Sequence, residues 1–134
     1  MIKLGSPPVL AVFLVLLATV DCGTTGSPHV LKSIVVTPAS AHAQDFPNGQ
    51  VPFKATGTFD TPPSPAMVTD TSWCMGAEDG SCAQDAGGTV DAHGVAQCNP
   101  GFSGTLTVQV SAPNGAGMPI TGVMVFGDAE LVCP

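Results

Sequence analysis

Thr105–Ser111 reads TLTVQVS, a strict alternation that puts Leu106, Val108 and Val110 on one face and Thr105, Thr107, Gln109 and Ser111 on the other. Side chains of an extended chain point to opposite faces in turn, so the stretch is a half-buried β-strand. Pro113-Asn114-Gly115 ends it with turn residues.

The same pattern spreads outward in both directions. Leu31–Thr37 (LKSIVVT) is rich in β-branched residues and stops at Pro38. Val51–Phe59 (VPFKATGTF) sets Val51, Phe53, Ala55, Gly57 and Phe59 on one side. Pro52 has no N–H to give a ladder, which predicts that this strand begins at a sheet edge. Thr69–Met75 (TDTSWCM) places Trp73 opposite Cys74, and Trp73 is expected in the core. Thr89–Asp91 and Val95–Gln97 flank Ala92-His93-Gly94, a strand, tight turn and strand in which Asp91 can accept from backbone N–H groups. Gly122–Phe126, Gly127-Asp128 and Ala129–Cys133 read as a final hairpin. After the first thirty residues no run of ten or more carries apolar residues at i, i+3, i+4 and i+7. Many short strands between Gly, Pro, Asn and Asp mark an all-β sandwich or barrel.

Five of these stretches follow one another as in a known module: SIVVTP (Ser33–Pro38), FKATGTF (Phe53–Phe59), TSW (Thr71–Trp73), TVDAHGVAQ (Thr89–Gln97) and GTLTVQVSA (Gly104–Ala112). In this order they resemble the bacterial immunoglobulin-like domain, group 2, over Leu31 to Ala112. The resemblance implies an immunoglobulin-like β-sandwich of the kind carried by bacterial surface proteins and adhesins. Met75–Gly88, with two cysteines, is an insertion relative to that module, and Pro113–Pro134 is a C-terminal β-hairpin extension.

The first segment has a different grammar. Lys3 precedes the twelve-residue run VLAVFLVLLATV (Val9–Val20), which is shorter than the roughly 20 apolar residues of a membrane-spanning helix. That length suits the apolar centre of a signal peptide, expected over residues 1–21. Leu17–Cys22 resembles a bacterial lipoprotein signal, although Asp21 stands where that motif carries a small residue. The resemblance implies a lipid anchor on Cys22; ordinary signal-peptidase cleavage is the alternative. Residues 22–30, rich in Gly, Thr and Ser, are expected to act as a flexible tether, and residues 31–134 as the sandwich.

Three lysines and no arginine against ten acidic residues give a net charge of −7, too few cations to grip a phosphate backbone. Nucleic acid is thereby excluded as a partner, and polybasic contact with anionic lipid falls with it, leaving a lipid anchor as the expected route to a membrane. The five cysteines are Cys22, Cys74, Cys82, Cys98 and Cys133; with Cys22 at the anchor, four remain for two disulfides in an oxidising compartment. Gly76, Asp79 and Gly80 favour a turn between Cys74 and Cys82, which leaves Cys98 for Cys133. Cys74–Cys98 with Cys82–Cys133 is the rival pairing.

Candidate chemistry is sparse. Cys74 and Cys82 have seven residues between them, unlike the close pairs of structural zinc sites, and His29, His42 and His93 are scattered. Met75–Ser81 around Glu78, Asp79 and Gly80 lacks the alternating oxygens of a calcium loop. Gly101-Phe102-Ser103-Gly104-Thr105 approaches a nucleophile elbow, yet Thr105 replaces the last glycine and no helix follows. No metal, no cofactor and no catalytic residue is expected. Phe46 and Phe102, in loops beside Pro or Gly, are the candidate exposed contacts. The expected role is a non-catalytic, exported module of the cell envelope for adhesion, binding or display. The alternative is a carbohydrate-binding or accessory module that docks an envelope enzyme or another protein.

Overall fold

The computed structural model describes residues 29–76, 82, 87–115 and 123–134. The expected signal peptide, Cys22, most of the tether and the acidic stretch at Glu78, Asp79 and Asp85 lie outside the described residues.

The chain forms β1 (Leu31–Thr37), β2 (Ser40–His42), β3 (Gln50–Pro52), β4 (Lys54–Phe59), β5 (Ala66–Met67), β6 (Ser72–Gly76), β7 (Gly88–Val90), β8 (Val95–Cys98), β9 (Gly104–Pro113) and β10 (Met124–Cys133). Two short 3-10 turns, Ala43–Asp45 and Pro47–Gly49, link β2 to β3. The hydrogen-bonded orders are β1-β4-β5, β3-β8-β7 and β2-β10-β9-β6. β3 and β4 are one strand interrupted at Phe53, whose N–H donates to Gly94 O at 2.9 Å, so the first two groups make a single layer. The third group is the opposing layer. Each paired strand is antiparallel to its neighbour except β2, which runs parallel to β10. The protein is an all-β sandwich in which the consecutive strands β1 and β2 belong to different sheets.

Alternation decides what is inside. Ile34, Val36, Val51, Phe53 and Ala55 of one layer face Met75, Leu106, Val108, Val110, Ala129 and Leu131 of the other, all buried. β3 is the outer member of its group, which suits Pro52, and its Val51 is fully enclosed. The opposite face of the first layer carries Lys32, Lys54, Thr58 and Gln97, all exposed, so that layer is wet on one side only.

Three details differ from the sequence reading. The C-terminal hairpin is formed by β9 with β10 over ten register pairs, Met124↔Pro113 to Cys133↔Gly104, and Gly127-Asp128 lies within β10. Gly127 is there because β1 crosses it: a Cβ would stand 2.9 Å from both the Ile34 carbonyl oxygen and its Cγ2. Secondly, β6 begins at Ser72, three residues later than expected. Thirdly, Trp73 faces the core in register with Val110 but is only half-buried, its ring packed beside Gly94 at the margin of the sandwich.

Candidate functional site

Cys74–Cys82 and Cys98–Cys133 are bridged, with Cα separations of 5.6 and 5.9 Å. Cys74 lies on the outer face of β6 opposite Gln109, whose Oε1 is 3.8 Å from Cys74 Sγ and 3.7 Å from Cys82 Sγ. Gln109 Nε2 in turn donates to Asp128 Oδ1 at 3.1 Å, so the bridge rests on a polar row across β6, β9 and β10. Cys98 and Cys133 end β8 and β10, which belong to different layers, so this bridge ties the two sheets together. Among the described residues no group of three or more His, Cys, Asp or Glu side chains is gathered as a metal site would require.

The 91–95 turn is built around one carboxylate. Asp91 Oδ1 accepts from the backbone N–H of His93 and of Val95, each at 2.8 Å, and Gly94 takes the positive φ (80°) that closes the turn. The Val95 N–H, followed by the His93 N–H, holds the Asp91 carboxyl below the usual carboxylate range. The folded pKa is depressed, so the contribution of Asp91 to stability is present above its unfolded pKa and is lost as pH falls through the folded one. Comparing Asp91→Ala with the unaltered protein by urea unfolding should therefore give a wide gap near about pH 6 and a narrow one near about pH 2. An equal gap at both values would show that the charged form has no advantage in the turn.

The sandwich has two poles. At the near pole, where β1 starts, His29 stacks on Phe59 (centroids 4.1 Å apart) and its Nδ1 lies 2.8 Å from Thr61 Oγ1. Asp60 Oδ1 accepts from the Val30 N–H at 2.8 Å, and the Leu31 N–H donates to Asn114 O at 2.8 Å. These contacts fix where the chain enters the fold; nothing in the spacing of His29, Phe59 and Asp60 along the sequence signals them.

At the far pole, where β2, β8 and β10 end, an open cleft of about 400 Å³ lies between the two 3-10 turns and the Gln97–Phe102 segment. Gln44, Asn48, Gln97 and Asn99 supply its polar side chains, and Phe102 an apolar one. Gln97 Nε2 donates to Asn48 O at 3.3 Å across the gap. Asn99 N–H donates to Gly87 O at 2.8 Å and Phe102 N–H to Asn99 O at 3.1 Å, so the second wall is a hydrogen-bonded turn.

Phe46 and Phe102 do not form an exposed apolar contact surface. Both are half-buried and packed on the core, and the Phe102 ring lies against Gly87, where a Cβ would collide with it. Among the described residues the exposed large apolar side chains are instead Val35, Met67, Val123, Met124 and Phe126, and Val35 and Met67 both align with Thr56 on the outer face of one sheet. The only loop aromatic that meets a cleft among those two is Phe102. No helix of the described residues is long and apolar enough to cross a membrane. Compared with known proteins, the chain matches no family model and no curated protein sequence.

Proposed function

We propose that the chain is an exported, non-catalytic immunoglobulin-like module, anchored at the cell envelope through acylated Cys22 and serving adhesion, binding or display. The observation that carries this reading is the fate of the cysteines. The two bridges use Cys74, Cys82, Cys98 and Cys133, which leaves Cys22 as the odd one, directly after the apolar run and before the Gly- and Thr-rich stretch. Disulfides of this kind are compatible with an oxidising compartment. Polarity supports display: the tethered start of β1 and the cleft lie at opposite poles, with the ten residues of β10 spanning roughly 30 Å between them.

Stable membrane attachment takes two acyl chains, since one binds only marginally. Expressed in a bacterial host, the protein should fractionate with membranes, and Cys22→Ser should move it to the soluble fraction. Retention of the variant in the membrane, or a mature protein that begins at Gly23 or later, would refute the anchor.

A further inference from the structure

We propose that the far-pole cleft binds a neutral, hydroxyl-rich saccharide, an inference that rests on the reading of the chain as an envelope binding module. The cleft volume of about 400 Å³ lies within the range of small-ligand sites, roughly 300–1,000 Å³. Every polar side chain in its lining is a carboxamide: Gln44, Asn48, Gln97 and Asn99. Each carboxamide offers two N–H donors and an acceptor oxygen in one plane. Sugar hydroxyls both donate and accept, and a surface that does the same can satisfy them without committing to either role. Phe102, half-buried with its ring on Gly87, adds apolar surface beside these amides, suited to the C–H groups of a pyranose ring.

Charge points the same way. No Lys, Arg, His, Asp or Glu side chain lines the cleft. A phosphate or a carboxylate would give up hydration there with no positively charged side chain to offset it. An extended peptide is disfavoured for another reason: strand addition needs a row of free N–H and C=O groups. The neighbouring edge strand β3 is three residues long and one of them, Pro52, has no N–H. The walls are also largely pre-formed. Gln97 Nε2 is held on Asn48 O, and the Asn99–Phe102 turn is closed by its own backbone hydrogen bond. Little ordering is left to be done when a ligand arrives, which favours even a weak binder.

The full chain, in phosphocholine micelles that carry no sugar, would be titrated with cellobiose, maltose and N,N′-diacetylchitobiose, with glucuronic acid as the charged control. Side-chain amide NMR signals of Gln44, Asn48, Gln97 and Asn99 are the readout. At least one of the neutral disaccharides should shift these signals saturably, and glucuronic acid should bind more weakly. Gln97→Ala combined with Asn99→Ala removes two hydrogen-bonding amides and should weaken binding by roughly tenfold or more, with the thermal midpoint held within a few degrees. The proposal is overturned if none of the disaccharides moves the signals, if the double variant binds as well as the parent, or if only glucuronic acid or a (Gly-Ser) peptide binds. This titration reads the cleft and says nothing of Cys22, whereas fractionation reads the anchor and says nothing of the cleft, so either can fail alone.

Discussion

Phe53→Ala should lower the free energy of unfolding by about 3–5 kcal/mol, the usual result of truncating a buried aromatic ring. Phe53 is 1% exposed and sits where β3 passes into β4, enclosed between the layers. Its backbone N–H is the one that reaches Gly94 O, so the side chain and the strand junction are held at the same point. The loss combines transfer of the ring to water with a cavity that two hydrogen-bonded sheets can close only in part. A domain of ordinary stability has about 5–15 kcal/mol to lose, so the variant should unfold at far lower denaturant and in some conditions fail to fold. Urea unfolding followed by Trp73 fluorescence measures this, and Phe59→Ala is the internal comparison. Phe59 is half-buried and stacked on His29 at the near pole, and its truncation should cost clearly less. Equal losses for the two would mean that the enclosed position of Phe53 has no energetic counterpart.

Removing the inter-sheet bridge should be nearly as damaging. Cys98 and Cys133 are 35 residues apart in sequence, and the chain-entropy argument gives about 4 kcal/mol for a loop of that size. The Cys74–Cys82 bridge spans a separation of 8 and by the same argument gives about 2.5–3 kcal/mol. Cys98→Ala with Cys133→Ala should therefore lower stability more than Cys74→Ala with Cys82→Ala. The local effects should differ too. Without the first bridge, amide exchange should accelerate at Leu131 and Val132, which lie beside it in β10, whereas loss of the second, on the outer face of β6, should leave these amides unchanged. A ranking in the opposite order, or a loss below about 1 kcal/mol for the inter-sheet pair, would contradict the entropic account.

How far the fold was legible depends on what each segment buries. β1 and β9 were plain because one face of each is buried along its length, and burial writes itself into the sequence as alternation. The 91–95 turn was plain because Asp and Gly carry its chemistry locally. β2 was not: Ser40-Ala41-His42 has no periodicity, and only its pairing with β10, ninety residues later in the chain, makes it a strand. Gly127 was misread because glycine serves both a turn and a close crossing, and the sequence does not say that Ile34 arrives there. For Trp73 the face was legible and the depth was not, since depth depends on where the sheet margin falls. The cleft was hidden for a similar reason. Its carboxamides at positions 44, 48, 97 and 99 are spread over two distant loops, and topology alone gathers them. Phe46 and Phe102 stand in loops beside Pro or Gly, a setting that predicts exposure, but both have apolar neighbours to sink into.

The parallel pairing of β2 with β10 has a mechanical side. The chain reaches β2 from the near pole and leaves β10 at the far one, so tension applied along the chain pulls the two strands past each other lengthwise. Glu130↔Ser40, Leu131↔Ala41 and Val132↔His42 are then strained together, as in a lap joint, rather than one after another as in a zip. A pull from the far pole meets Cys133 before that joint, and its bond to Cys98 hands part of the load sideways to β8 in the opposite layer before β10 can peel from β9. A tethered module subject to drag would thus carry the load across both sheets through a covalent cross-tie.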